Sequence, residues 1–358
     1  MEFRGNPTGA AARAKAPTRK AKNSMAKKVM ITGGAGYVGS LLTPSLLAAG
    51  YEVVVYDIMY FGAEHLHTGD PALTSVEGDI RDTDRFRAAC AGVDAVIHLA
   101  CISNDPSFEL DDGLSISINY HSFEPMVAAA KQAGVGRFIY ASTSSVYGVS
   151  DAPDVREDHP LVPLTHYNKF KGLCEPLLFK HQAPGFTCTT VRPSTVCGYA
   201  PRCRLDLTVN ILTNHAINKG EITVFGGEQY RPNLHIKDMV RLYEILLDLP
   251  AEKIAGETFN VGYRNMKVLE IAELVKRVVE EEFPERAPID IERTPSDDDR
   301  SYRVNSDKIA EKLGFVPEFT VEDAIRDLCQ AFRTGALPNS FDDDRYYNVR
   351  TMRALRAA

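Results

Sequence analysis

The sequence predicts an α/β fold, a doubly wound parallel sheet with helices on both faces and a smaller mixed α/β lobe. Three observations carry that expectation. From Lys27 onward, short apolar runs alternate with amphipathic stretches, the pattern of strand and crossover helix in a parallel sheet. The first such run ends in a glycine-rich turn that opens a helix. At 358 residues and 44% hydrophobic content, the chain can also bury a substantial core.

Taken in order, "KVMITGG" reads as a strand, "YVGSLLTPSLLAAG" as a helix and "EVVVYD" as a strand. A helix over "DRFRAACAG", a strand over "AVIHLA", a helix over "SFEPMVAAAKQAG" and a strand over "RFIYAST" complete the alternation. Further on, "LTVNILTNHAINKGEITVFG" reads as a helix leading into a short strand, the start of the second lobe. The expected division is 27–198 with 234–262 as the sheet domain and 199–233 with 263–335 as the lobe. The first 26 residues, with Glu2 as their only acid, lack the apolar content to join a core and are expected to be disordered. Met25 just ahead of "AKKVMITGG" favours an alternative start or an appended leader over an organelle transit peptide. Residues 336–358 are expected to form a surface arm, one that could dock on a neighbouring subunit.

Composition excludes several functions. The net charge of −7 argues against a nucleic-acid surface, because counterion release needs a dense basic footprint. No run of 18 apolar residues exists, so no membrane span is expected. The seven cysteines are scattered without a Cys-x-x-Cys pair and read as reduced thiols of a cytoplasmic protein. Neither Cys197 with Cys203 nor His65 with His67 has the partners of a zinc site, and the histidines read as surface residues; no metal is expected.

Gly33, Gly36 and Gly39 in "GGAGYVG" follow a strand and open a helix. Glycine serves there because the chain must turn tightly, approach a pyrophosphate and let helix pack on strand. The phosphates would sit on the helix N-terminus, where unpaired N–H groups and the dipole attract an anion. Asp57 ends the next strand at the spacing of a ribose acceptor and would repel a 2′-phosphate; the following Ile58, Met59 and Tyr60 offer no arginine to a phosphate. NAD is therefore the expected cofactor, in a Rossmann-type domain. Asp79, at another strand end, is expected at the adenine edge.

"HYNKFK" places Tyr167 and Lys171 four residues apart, on one helix face. A phenol titrating near 10 is a poor base at neutral pH, and a neighbouring ammonium with a cationic nicotinamide would stabilise its phenolate. Thr143, at a strand end, is a second hydroxyl able to hold the same substrate oxygen.

The motifs "TGGAGYVG", "GDIRD", "VIHLA", "STSSVYG", "YNKFK", "VRPSTVCGY", "NLHIKDMV", "FNVG" and "DDDRSYRVNSDKIAEKLGF" follow one another in the order of the extended short-chain dehydrogenases/reductases. The chain resembles the nucleotide-sugar epimerase and dehydratase branch of that family from about Lys27 to Leu337. The resemblance implies that Thr143, Tyr167 and Lys171 are the catalytic set and that Asn119 supports the nicotinamide region. It implies a cofactor wall of Tyr37, Val38, Ile58, Ile80, Leu99, Ala100, Ser142 and Pro193, and a structural role for Tyr147. In the family's dehydratases an Asp and a Glu typically follow the catalytic threonine; here Ser144 and Ser145 stand there. Serine cannot replace a carboxylate that shuttles a proton at neutral pH. The resemblance further implies that Thr223 and Phe225 face the nucleotide base and that Arg231 and Arg300 grip a diphosphate, for which the guanidinium fork is suited. Thr195 replaces an asparagine common in UDP-sugar epimerases. The expected function is a nucleotide-sugar epimerase acting at C4, with a dehydrogenase or 4-ketosugar reductase as the alternative and a non-catalytic NAD-binding scaffold further behind. The expected partner is a nucleotide-diphosphate sugar, and the expected assembly a homodimer through the helices containing Asn119 and Tyr167.

Overall fold

The computed structural model describes residues 27–66, 69–295 and 301–357. The expectations for residues 1–26, for His67 and for Arg300 lie outside the described residues.

The chain runs β1 (Lys28–Thr32), α1 (Gly39–Ala48), β2 (Glu52–Asp57), β3 (Leu73–Glu77), α2 (Thr83–Ala89) and β4 (Ala95–His98). Two short helices, α3 (Asp105–Phe108) and α4 (Asp112–Ile116), lead through a π-turn into α5 (Phe123–Gln132), β5 (Arg137–Ala141), α6 (His166–Phe179) and β6 (Thr187–Pro193). All the elements expected in this half are present. The parallel sheet also takes in β10 (Glu257–Val261), giving the order β10-β6-β5-β4-β1-β2-β3. The strand order reverses direction between β1 and β4, and that switch point is where an open parallel sheet leaves a crevice at its carboxyl edge.

Why the sheet is buried on both faces is legible in its strands. Met30, Ile31, Val54, Val55, Val96 and Ile97 alternate between two cores and are all at most 2% exposed. Val29, Ile31, Val53 and Val55 pack with Leu42 and Leu46 of α1, and with Leu242 and Leu246 of the later helix Ile236–Asp248. Met30, Val54 and Val96 pack with Phe86, Phe123 and Met126 on the opposite face. Each fully buried side chain of this size contributes roughly 1.5–3 kcal/mol.

The second lobe is built from β7 (Thr195–Cys197), α7 (Thr208–Lys219), β8 (Glu221–Phe225), β9 (Tyr230–His235), β11 (Arg264–Lys267), α10 (Val268–Glu282) and β12 (Asp290–Thr294), with α12 (Val321–Arg333) on its outside. Sheet β11-β9-β7 mixes antiparallel and parallel pairing, and β12 pairs with β8 in parallel. Val209, Ile222, Val224, Ile271, Val275 and Ile325 form its core. The helices α8 (Ile236–Asp248) and α9 (Ala251–Ile254) return the chain to the large sheet, and α11 (Asp307–Leu313) packs beside β10.

The C-terminal segment departs from its expectation. The sequence predicts a surface arm over 336–358, but Leu337, Tyr346 and Tyr347 pack against Leu205 and Leu328 of the same chain. Met352 of α13 (Asn348–Ala357) is 5% exposed and joins the core around Phe123 and Phe138. The aromatic pair Tyr346 and Tyr347, set between acidic and basic residues, helps dock the segment. His65, expected on the surface, is half-buried, and burial pushes its pKa below the usual value. All seven cysteines are free, and six of them are buried.

Candidate active site

A cleft of about 410 Å³ opens along the carboxyl edge of the large sheet at its switch point. Its first wall is the turn between β1 and α1. Gly33 has φ 73°, and a Cβ there would lie 2.6 Å from the Ala100 nitrogen, so only glycine fits. The helix that follows has no side-chain N-cap, which leaves its first turn facing the cleft as a site for an anion. The Tyr37 hydroxyl donates to the Gly198 carbonyl at 2.5 Å and ties this turn to the loop after β7.

Asp57 ends β2 in the cleft wall. Its carboxylate accepts from the Ala35 N–H at 3.0 Å and the Met59 N–H at 2.8 Å. Burial pushes its pKa up, opposed by those two backbone donors. Asp79 is held by Arg81, with 2.9 Å between Oδ2 and Nε.

At the other end of the cleft, Thr143 is extended (φ −157°, ψ 146°), and its Oγ1 accepts from the Ser145 N–H at 3.1 Å. That bond occupies an acceptor position and leaves the hydroxyl proton free to be donated to a ligand oxygen. Tyr167 and Lys171 project from one face of α6, whose start Thr165 caps. The Lys171 ammonium donates to the Ala141 carbonyl and lies 4.5 Å from the centroid of the Tyr140 ring. Burial pushes the Tyr167 phenol well above 10, Cys101 and Asp105 push the same way, and Arg204 opposes them. The sequence reading expects that opposing charge from Lys171 and the nicotinamide; Arg204 adds a further positive charge that it does not name.

Beneath these groups runs a buried polar chain. Ser142 donates to Glu175 at 2.6 Å, Glu175 pairs with Arg192 at 2.6 Å, and Arg192 donates to the Tyr147 hydroxyl at 2.7 Å. Tyr147 in turn donates to Asn260 at 2.7 Å, which agrees with its structural reading. Arg192 and Glu175 side chains are both 6% exposed, so the pair is tolerable only because each partner is saturated.

The structure brings Gly33, Gly36, Tyr37, Val38, Gly39, Asp57, Ile58, Asp79, Ile80, Leu99, Ala100, Ser142, Thr143, Ser144, Ser145, Tyr167, Lys171, Pro193, Thr195 and Arg231 to this one cleft. Asn119 stands behind it: its side chain accepts from the Ile102 N–H and donates to the Ile102 carbonyl, both at 2.8 Å, and so fixes a segment of the wall. Thr223 and Phe225 are not brought to the cleft. Strand alternation on β8 turns Ile222 and Val224 into the lobe core, and Phe225 is 61% exposed on the other side.

Sequence reasoning missed five contributors. Tyr302 lies 3.1 Å from the Ser145 hydroxyl and 3.5 Å from that of Ser144. Arg204 pairs with Asp206 at 2.9 Å, and Arg202, beside the first turn of α1, and Asn348 also line the cleft. For Tyr302 the signal was available, since it lies inside a quoted motif. For Asn348 there was none.

A glycine turn, a strand-end carboxylate and a Thr–Tyr–Lys set along one parallel-sheet edge define a dinucleotide-dependent oxidoreductive site. The donor set fits such a cofactor: an uncapped helix start for phosphates, Asp57 for ribose hydroxyls and the unpartnered buried Nε of Arg202. The chain belongs to the NAD dependent epimerase/dehydratase family, whose family model matches residues 29–262. Relatives in sequence include a dTDP-glucose 4,6-dehydratase of Actinoplanes sp., 27% identical over 86% of this chain and 98% of the relative. A UDP-glucose 4-epimerase of Lactobacillus helveticus is 28% identical over 69% of this chain and 81% of its own length. Among solved structures, a UDP-glucose 4-epimerase from Thermotoga maritima with UDP-glucose superposes with a TM-score of 0.76 at 24% identity, covering 86% of this chain and 99% of that one. A dTDP-glucose 4,6-dehydratase from Streptomyces venezuelae with NAD bound gives 0.76 at 23% identity, over 89% and 99%. At such identities these superpositions establish the fold. Among the described residues no helix is long and apolar enough to cross a membrane.

Proposed function

We propose that the protein is an NAD-dependent nucleotide-sugar epimerase acting at C4 through a transient 4-keto intermediate. The observation that carries the reading is the set of groups around Tyr167. Thr143, Ser144, Ser145 and Tyr302 offer only hydroxyls there, and each described carboxylate of the cleft is already held. Asp57 is held by backbone N–H groups, Asp79 by Arg81, Asp206 by Arg204 and Asp105 by the Thr165 hydroxyl at 2.5 Å. Redox at one carbinol needs a single proton acceptor, whereas loss of water across C5 and C6 needs a carboxylate pair. The relatives named above, two of which act on nucleotide-linked glucose as an epimerase and a dehydratase, support the substrate class.

NAD bound in the cleft supplies a hydride acceptor that can return the hydride to the same carbon. Tyr167 takes the C4 hydroxyl proton as the ketone forms and gives it back after the sugar has turned. Thr143 donates a hydrogen bond to the developing oxyanion, and Lys171 with Arg204 supplies the positive charge that eases ionisation of a buried phenol. Arg231 lines the same cleft as a candidate for the substrate diphosphate.

The test uses a nucleotide hexose deuterated at C4. Epimerisation with the label kept at C4, no solvent exchange at C5 and no lasting change in nicotinamide absorbance is the expected result. Solvent deuterium at C5 with a 6-deoxy-4-keto product selects a dehydratase, and stoichiometric NADH selects the dehydrogenase.

A further inference from the structure

Arg202 has an unusual environment for an arginine. It is 5% exposed and lines the cleft, yet its Nε has no hydrogen-bond partner. Its backbone N–H donates to the Ser40 hydroxyl at 3.2 Å, which fixes it beside the first turn of α1. From there the side chain crosses toward the end of β2, with its guanidinium 3.9 Å from the centroid of the Phe61 ring. Among the described residues its side-chain hydrogen bond runs from Nη2 to the side-chain amide oxygen of Asn348, Oδ1, at 2.6 Å. Asn348 is itself held by Ser103 at 2.7 Å and by Asp206, whose carboxylate accepts its backbone N–H at 3.1 Å.

The carboxylates within electrostatic reach, Asp57 and Asp206, are both engaged elsewhere, the first by backbone donors and the second by Arg204. Burial and the neighbouring Arg204 push the Arg202 guanidinium down to about 9, the opposite of a cation whose partner is in place. A buried guanidinium with an idle donor is costly unless an anion completes it. The position is specific as well. It lies between an uncapped helix start, which attracts phosphate, and the strand-end carboxylate read as the ribose acceptor.

We infer that Arg202 is a ligand of the dinucleotide's pyrophosphate, completing the helix N-terminus as an anion site and held in place by Asn348 of the C-terminal segment. The inference rests on the dinucleotide reading of the cleft and extends it. The pyrophosphate is gripped from the glycine turn on one side and from a side chain on the other, and the chain's last helix braces that side chain. Arg204, paired with Asp206, is left to face Tyr167 rather than the pyrophosphate.

The test measures NADH binding by calorimetry to the full chain stripped of bound nucleotide, together with its thermal melt. Arg202→Met keeps the aliphatic stem on Phe61 and removes the charge, so the protein should stay folded while NADH binds about ten- to a hundredfold more weakly, with a shallower salt dependence. Arg202→Lys should recover part of that loss. Asn348→Ala should weaken NADH severalfold by freeing the guanidinium. NADH affinity of Arg202→Met within twofold of the wild type, at an unchanged melt, overturns the inference while leaving the dinucleotide reading intact. A loss confined to NADPH overturns it in favour of a 2′-phosphate contact. Failure of the wild-type protein to bind either nucleotide overturns the reading of the cleft and this inference with it.

Discussion

The two walls of the cleft are held by different kinds of contact. On the sheet side, the site groups are fixed largely by residues close in sequence. Thr143 accepts from Ser145, Asp57 accepts from Met59, and Tyr167 and Lys171 share one helix face. On the opposite side, Arg202 is tied to Asn348 and Asn348 to Ser103, so partners 146 and 245 residues apart meet at one point. The first wall is a property of strand ends and helix starts; the second exists only once the chain has closed on itself. The groups proposed for the chemistry stand on the first wall, and part of the proposed cofactor grip stands on a wall that folding must assemble.

That difference can be broken most severely at the second wall. Truncation before Asp342 removes the buried Tyr346, Tyr347 and Met352, a loss of roughly 4.5–9 kcal/mol at the usual value per buried side chain. Because domains are stable by only about 5–15 kcal/mol, the truncated protein should be largely unfolded, which circular dichroism and a thermal melt would reveal. A truncated chain with a wild-type melt would return the segment to the status of a surface arm.

Beneath the first wall, Glu175→Ala leaves the Arg192 guanidinium buried without its carboxylate. The expected cost is about 3–5 kcal/mol of unfolding free energy, measured by denaturant titration. Next comes Tyr167→Phe, which should keep NAD binding while turnover falls by at least about a hundredfold. Near-normal turnover would remove Tyr167 from the chemistry.

Asp57→Ala should weaken NAD on the order of tenfold and relax discrimination against NADP, since the ribose acceptor and the repulsive charge go together. Unchanged preference in competitive binding would mean that another group sets it. The smallest effect is expected at Ser145→Ala, which removes the partner of the Tyr302 hydroxyl. A loss of about 1 kcal/mol, roughly fivefold in turnover, would fit a positioning hydroxyl, and complete loss would put Ser145 in the proton transfer.

The sequence by itself determined the parallel sheet, the glycine turn, the place of Asp57 at a strand end and the four-residue spacing of Tyr167 and Lys171 on one helix. Each is written in a few consecutive residues: apolar runs of strand length, a glycine where φ is positive, and a four-residue spacing on a helix. Its reading of Tyr147 as structural also agrees with the buried chain from Ser142 to Asn260. Only the tertiary structure decided what faces those residues. Tyr302 meets Ser145 across 157 positions, and Arg202 finds Asn348 in a segment whose charges suggested solvent. Thr223 and Phe225 do not line the described cleft: the lobe core takes Ile222 and Val224 of β8, and pattern alone does not say what the opposite face of that strand meets. Local periodicity fixes which way a side chain leaves its own element; which element it then meets depends on how loops close, and loop closure leaves no spacing rule in the sequence.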